Sequence, residues 1–440
     1  MSDPKTGIYA RTLSRMIRME TVSSEHQKDK SKFYRFHALL AELFPHIFSA
    51  CTLEDFGGSI LLRWEGEGEG EPILLMNHHD VVEASGAWKY GPFEGRIAQG
   101  KVWGRGALDT KGGLFAMLQA ADELAQQGFR PKRDIYFMST CNEECDGAGA
   151  DAISRALKNR GIRFYLVLDE GGMILEEPID GVEGTFAIVG IGEKGCADLK
   201  FIARSSGGHA STPGKNTPLV RLGKFMQAAE RDGLFKAEVS PSVAATFRTL
   251  SDSMSGPMKY LLRHSRVFSP ILTRAIPYVS NTAGAMLKTT LAFTMAGGSE
   301  GMNVLPSEAW VIGNMRYSHH EGREKSFRKI IRLAKKYDIE TVILNPGFDS
   351  VLSDHRSEAF KSIKKAVRNV FGESVRTTPY VMTAASDSRY LSRVCRNCFR
   401  FTPFCITQEQ LESIHGINEN VDAAALAPAV KFYQYILTEV

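Results

Sequence analysis

Apolar residues recur at helical spacing over residues 9–17 and 33–43, and after Phe56 the period shortens to runs of strand length. The runs SILLRW (59–64) and PILLMN (72–77) each read as a strand, and the acidic, Gly-punctuated EGEGEGE between them reads as a solvated hairpin loop. Short strands over 96–103, a Gly-rich turn, a helix over 114–127, the strand DIYFMST (134–140), a helix over 147–159 and the strand FYLVLD (164–169) follow. Apolar strands alternating with amphipathic helices predict an α/β mixed sheet covered by helices on both faces.

Near Gly190 the pattern changes. CADLKFIA (196–203) reads as a strand, 219–231 as a helix, TTLAFTM (289–295) and EAWVIGNMRY (308–317) as strands, 323–336 as a helix and IETVILN (339–345) as a strand. These elements make a small α+β layer. Between its first helix and second strand, residues 233–287 are rich in Ser, Pro, Met and Arg, fit no repeat, and read as an irregular insertion. Helices over 359–370 and 423–437 resume the first pattern. The expected organisation is a first unit made of 1–190 and 348–440, interrupted by a second over 191–347.

A net charge of +4 over 440 residues, with 54 Lys and Arg set among 50 Asp and Glu, predicts no nucleic-acid partner. No window is apolar enough to span a membrane, and the first residues carry no apolar core of a secretion signal, so a cytoplasmic location and no membrane are expected. Seven cysteines, with one CxxC at Cys395 and Cys398, suit a reducing compartment and read as small buried hydrophobes.

The chemistry concentrates where strands end. His78 and Asp80 follow PILLMN, Asp109 follows WGRGAL, Glu143 and Glu144 follow DIYFMSTCN, Asp169 closes FYLVLD, and His415 follows a loop. In open α/β sheets such positions converge on the ligand site. Carboxylates gathered there would repel one another unless cations sat among them, and imidazole with carboxylate donors suits zinc, with cobalt or manganese as alternatives. In His-x-Asp the two side chains share a face, so Asp80 can fix the tautomer of His78. Glu143 and Glu144 diverge, so that one can bind metal while the other acts as general base. Isolated histidines such as His26, His264, His319 and His320 read as solvated or satisfied residues, and His79 as a bystander.

In chain order, His-x-Asp-Val-Val at 78–82, Trp-x-x-Gly-Pro-Phe at 88–93, Gly-Arg-Gly-Ala-x-Asp-x-Lys-Gly-Gly at 104–113, Glu143-Glu144, Asp-Glu-Gly-Gly at 169–172, Gly-His-Ala-Ser-x-Pro at 208–213 and His-Gly-x-Asn-Glu at 415–419 resemble the dinuclear zinc peptidases and deacylases. That family includes glutamate carboxypeptidase, aminoacylase, carboxypeptidase S and acetylornithine deacetylase, and the resemblance spans nearly the whole chain. It implies a zinc-peptidase catalytic domain interrupted by a ferredoxin-like lid, and a homodimer through the lid. It also implies two divalent metals: Asp109 bridging them before a cis peptide to Thr110, His78 and Asp169 completing one site, Glu144 and His415 the other. Asp80 would orient His78, Glu143 would serve as base, and His209 would stabilise the oxyanion, in many relatives from the partner subunit. Asn303 and Arg316 resemble the residues that grip the substrate's free carboxylate.

Two departures concern pocket shape: Asn77 stands where many relatives have glycine, and TAASDSR (383–389) carries alanines where glycines frequently contact substrate. The insertion and SDSRY tilt the reading to the carboxypeptidase S and N-acyl-amino-acid hydrolase branch. The expected activity is cleavage of the amide in a small-molecule or short-peptide substrate, a peptide or N-acyl amino acid with a free carboxylate. A deacylase dedicated to one acetylated or succinylated amino acid, and a catalytically silent binding protein, are the alternatives.

Overall fold

The computed structural model describes residues 4–25, 27–178, 182–231 and 233–440. Its largest sheet holds ten strands among these residues, ordered Cys51–Asp55, Ile60–Trp64, Ile135–Thr140, Ile73–His78, Leu166–Asp169, Cys398–Arg400, Thr185–Glu193, Ile174–Glu176 and Cys405–Ile406, with Arg376–Met382 parallel to Thr185–Glu193. Period-two alternation divides the apolar side chains cleanly. Ile73, Leu75, Phe137 and Leu168 face one core with the helices Thr6–Arg18, Lys111–Gln126, Glu358–Phe371 and Ala423–Glu439. Leu74, Met76, Met138 and Val167 face the other, beneath Ala148–Asn159 and Ser388–Leu391. Strands buried on both faces are what helices on both sides require.

The stretch 65–71 is not a hairpin. Ile135–Thr140 lies between the two flanking strands, antiparallel to Ile60–Trp64 and parallel to Ile73–His78. The acidic loop crosses the end of that intervening strand, where the Glu67 and Glu69 amides donate to the carbonyls of Pro131 (2.9 Å) and Lys132 (2.8 Å). Composition showed a loop there, but pairing between distant strands decided what it connects.

The smaller sheet, ordered Thr290–Gly297, Glu308–Tyr317, Gly195–Arg204, Glu340–Phe348, is antiparallel throughout. With the helices Pro218–Glu230 and Gly322–Lys336 it follows a strand–helix–strand–strand–helix–strand order, the ferredoxin-like arrangement. Its second core joins Leu199, Phe201, Phe225, Val311, Met315 and Ile330. Only Lys194 separates Thr185–Glu193 in the large sheet from Gly195–Arg204 in the small one.

The stretch 233–287 is helical rather than irregular, over Pro241–Ser251, Gly256–Arg263, Ser269–Val279 and Asn281–Leu287. Three of its four prolines, Pro241, Pro257 and Pro270, sit in the first turn of a helix, where the missing N–H costs nothing, and Pro277 lies inside Ser269–Val279. Ser240 and Ser280 cap two helices by accepting from the amides of Val243 and Ala283. The helices pack Val243, Phe247, Leu272, Met286 and Leu287 against Tyr380 of the strand Arg376–Met382, and the Thr246 hydroxyl donates to the Pro379 carbonyl (2.7 Å). Losing one such cap costs about 1 kcal/mol, so Ser240→Ala is expected to lower stability by about that amount, read as a shift of the urea midpoint, with secondary structure unchanged.

Candidate active site

The carboxyl ends of four strands and two loops meet at one crevice. His78 ends its strand with Nδ1 donating to the Asp80 carbonyl oxygen (2.9 Å), which turns Nε2 onto Asp109 Oδ1 (3.0 Å). The other Asp109 oxygen meets His415 Nε2 at 3.1 Å, and the same nitrogen lies 3.1 Å from Glu144 Oε2. One carboxylate therefore stands between two imidazoles, and donor atoms of His78, Asp109 and Glu144 all fall within 4.8 Å of one another.

Each of these side chains is held from behind. The Asp80 carboxylate, 3.4 Å from the His78 ring, accepts from the Glu143 and Glu144 amides (both 3.2 Å) and from Ser23 (2.7 Å). Its reach to His78 is thus mainly through the main chain, while its side chain fixes the Glu-Glu turn. Asp169 accepts from the Glu170 amide (2.9 Å) and the Ser388 amide (2.8 Å), so SDSRY contributes at the crevice through its backbone. Asp109 follows a loop threaded on Glu419, which accepts from the amides of Gly106, Leu108 and Asp109 (2.8–3.1 Å). Glu419 also pairs with Arg105 at 2.8 Å, both fully buried, and Arg105 donates to the Gly416 carbonyl, one residue after His415. A single buried ion pair thus joins the loops that carry Asp109 and His415.

The peptide from Asp109 to Thr110 is cis. Thr110 donates to Asn77 Oδ1 (3.2 Å), and a Cβ on Gly113 would meet that same oxygen at 2.3 Å. Asn77 therefore points into the body of the fold and braces the Asp109 turn rather than narrowing the pocket. His79 points the opposite way from its neighbour, buried between Phe33 and Phe36, with Nδ1 2.8 Å from the Ser139 hydroxyl. His26 lies outside the described residues.

Burial dominates the electrostatics. It raises the carboxyls of Glu143 and Glu170 well above the usual range and those of Glu144 and Asp169 less far. Asp109 goes the other way: burial opposes ionisation, but hydrogen bonds from His415 and His78 outweigh it. His415 is pushed up to about 10 by hydrogen bonds to Asp109 and Glu144. Sequence reasoning passed over Glu170, although it lies inside the Asp-Glu-Gly-Gly run, and singled out the segment 383–389 without giving a role to Arg389, whose guanidinium comes within 3.9 Å of Glu143. It also passed over the buried pair of Arg400 and Glu193 (2.8 Å), whose Oε1 accepts from Ser386 beside the Asp169 support. Nothing local marks such a pair, because its members stand far apart in the chain.

The remaining candidates lie on the small sheet's side. His209 is exposed, its Nδ1 2.7 Å from the Ser211 hydroxyl, on a two-stranded ribbon that pairs Gly208–His209 with Val304–Leu305. Asn303 is exposed at the end of that ribbon, its carbonyl accepting from the Ala210 amide (2.9 Å). Arg316, on the strand Glu308–Tyr317, donates from Nε to Asn314 Oδ1 (3.1 Å). Neither His209 nor Asn303 touches the carboxylate cluster.

The donor set fits divalent cations. Glu144 Oε1 is buried with no hydrogen-bond partner, although it belongs to an ionisable group inside a cluster of like charge. A cation is the partner that this oxygen lacks.

Comparison with known proteins shows the family. The family model described as peptidase family M20/M25/M40 matches residues 74–439. A probable carboxypeptidase S-like 2 from Dictyostelium discoideum is 29% identical over 97% of this chain and 84% of its own length. The N-fatty-acyl-amino acid synthase/hydrolase PM20D1 of Homo sapiens is 28% identical over 94% of this chain and 84% of its own. Among solved structures, the M20 family metallo-carboxypeptidase Sso-CP2 from Sulfolobus solfataricus superposes with a TM-score of 0.73 over 98% of both chains at 16% identity, a likeness of fold.

Two outcomes follow from the site. Removing one partner of a buried ion pair costs about 3–5 kcal/mol, so Glu419→Ala is expected to destabilise by that order in chemical denaturation and to weaken metal uptake. Because His415 is protonated below about 10 and must be neutral to ligate, metal uptake at pH 7 is expected to release at least one proton. Affinity then rises with pH by about tenfold per unit for each proton released. Calorimetry in buffers of different ionisation enthalpy reads the proton count directly.

Proposed function

The chain belongs to the peptidase family M20/M25/M40, and from that premise we propose a two-metal hydrolase that cleaves the amide of a short peptide or N-acyl amino acid bearing a free carboxylate. The observation that carries it is Asp109 standing between His78 and His415, with the unpartnered Glu144 oxygen beside it. In this reading Asp109, His78 and Asp169 would hold one cation, and Asp109, Glu144 and His415 the other. Zinc suits these donors, and cobalt or manganese would be accepted by the same set. The cations supply Lewis-acid polarisation of the scissile carbonyl and make the attacking water more acidic.

The protein's own part is orientation and proton transfer. Glu143, fixed by the Asp80 carboxylate through its amide (3.2 Å), takes the proton of the attacking water and delivers it to the leaving amine. In the metal-free crevice, burial lifts its carboxyl well above the usual range. Arg316 and Asn303 receive the carboxylate end of the substrate, and an arginine fork matches a planar carboxylate. His209, 2.7 Å from Ser211 and away from the cluster, serves the oxyanion from the partner subunit of a lid-mediated homodimer. A cytoplasmic setting suits the seven free thiols. No helix among the described residues is long and apolar enough to cross a membrane.

The relatives named as carboxypeptidases and as N-fatty-acyl-amino acid enzymes favour substrates that end in a free amino-acid carboxylate. The test is turnover of a mixed panel of N-acyl amino acids and dipeptides, with chelator and with zinc, cobalt or manganese restored. Cleavage should stop with chelator and return with metal. Glu143→Gln should lower kcat by roughly three orders of magnitude or more with metal still bound. An unchanged rate in that variant would remove Glu143 from the mechanism. Silence across the panel in the metal-loaded wild type would sink the hydrolase reading.

A further inference from the structure

Arg389 has no role in the machinery above, yet its surroundings are those of a binding group. It opens the helix Ser388–Leu391, one residue after the amide that supports Asp169, and its side chain is only 10% exposed. The guanidinium lies against two rings, Phe348 at 5.1 Å and Tyr390 at 4.8 Å, which fix its plane. Nη1 donates to the Ser386 carbonyl (3.1 Å) and stands 3.9 Å from Glu143 Oε1, beyond hydrogen-bond reach. Nε is buried and has no acceptor. Asp387 Oδ2 accepts from Thr140 (2.6 Å); its charge is the strongest acidic influence on Arg389, but no hydrogen bond joins the two. An arginine held flat by aromatics, with an N–H unsatisfied in a crevice, is built to take an anion from outside.

Register on the small sheet says which anion. Cys196 pairs with Arg316 on one side and with Phe348 on the other, so these three residues form one row across three strands. Phe348 is the ring on which Arg389 lies, which brings the guanidinium of the large sheet to the end of the row that carries Arg316. The Cys196 thiol reports on both: burial raises it, and Arg316 and Arg389 each pull it back. Lys194 stands at the same junction, its amine held by the carbonyls of Ala285 (3.1 Å) and Lys288 (3.0 Å) and pushed down to about 7 by burial and by Arg316. Beside a crevice crowded with carboxylates, this is the cationic edge.

We propose that Arg389 is a second grip on the substrate's free carboxylate, meeting from the large sheet the group that Arg316 meets from the small one. The inference rests on the amide-hydrolase reading and adds a specificity-determining residue to it. Two arginines on different bodies make the carboxylate a bridge between them, so a substrate lacking that charge loses both the grip and the alignment it imposes on the scissile amide.

The experiment compares kcat/KM for an N-acyl amino acid and for the same compound with its carboxylate converted to carboxamide, using metal-loaded wild type, Arg389→Gln and Arg389→Lys. A charge-assisted hydrogen bond carries a factor of roughly 10 to 100. Arg389→Gln should therefore lose about that factor on the carboxylate substrate and change by less than about threefold on the carboxamide, with Arg389→Lys between the two. An equal loss on both substrates would show a structural role and overturn the proposal. So would wild-type discrimination kept intact in Arg389→Gln. A wild type that cleaves both compounds equally would instead fail the carboxylate reading itself, and the proposal with it. Melting temperatures identify a variant that has failed to fold, in which case Arg389→Lys, which keeps the charge but not the fork, carries the comparison.

Discussion

The structure is organised around the cost of crowding carboxylates into one crevice away from water. Asp109, Glu143, Glu144, Asp169, Glu170 and Asp387 all lie there, and burial works against ionisation at each of them. A fold tolerates this only when the groups are fixed by donors behind them and offset by cations in front. Behind them stand the amides that grip Asp169 and Asp80, the paired Arg105 and Glu419, and the paired Arg400 and Glu193. In front stand His78 and His415, which hold the cluster together through Asp109. In the proposed two-metal reading the same histidines would become ligands once a stronger cation displaced their protons.

Sheet geometry explains why so many acids can point at one place. Parallel strands put their carboxyl ends on one edge, and the side chains there arrive on rigid elements rather than on mobile loops. His78, Asp169 and the turn after Thr140 come from neighbouring strands of a single sheet. Asp109 and His415 come from loops instead, and their positions rest on the Arg105 and Glu419 pair that joins those loops.

Much of this was legible in the chain. Strands buried on both faces announce themselves as apolar runs, so the α/β class follows from local pattern, and His78, the Glu143-Glu144 pair and Asp169 stand where such runs end; the ligand set as such, with Asp109 and His415 on their loops, came from the family resemblance. What escaped was non-local or turned on an ambiguous residue. The acidic 65–71 loop looked like a hairpin because nothing in its sequence tells that Ile135–Thr140 will slip between its flanking strands. Residues 233–287 looked irregular because proline breaks a helix in its middle and begins one at its start, and only the serine caps separate the two meanings. The contacts of Arg389 and Glu193 were invisible because their partners, Phe348 and Arg400, are set by tertiary packing.

The helical insertion gives the molecule a mechanical property that its two sheets alone would lack. It grows out of the small body, yet it leans on Tyr380 and Pro379 of the large one, and its far end receives the amine of Lys194, the single residue at one crossover between the bodies. It acts as a brace set diagonally across a hinge. Any swing of the small body would have to shear this apolar contact and slide Lys194 past the carbonyls that hold it, so the insertion resists relative movement of the two bodies. The enzyme thereby exchanges range of motion for alignment, which suits a reaction whose groups must already be in place when a short substrate arrives.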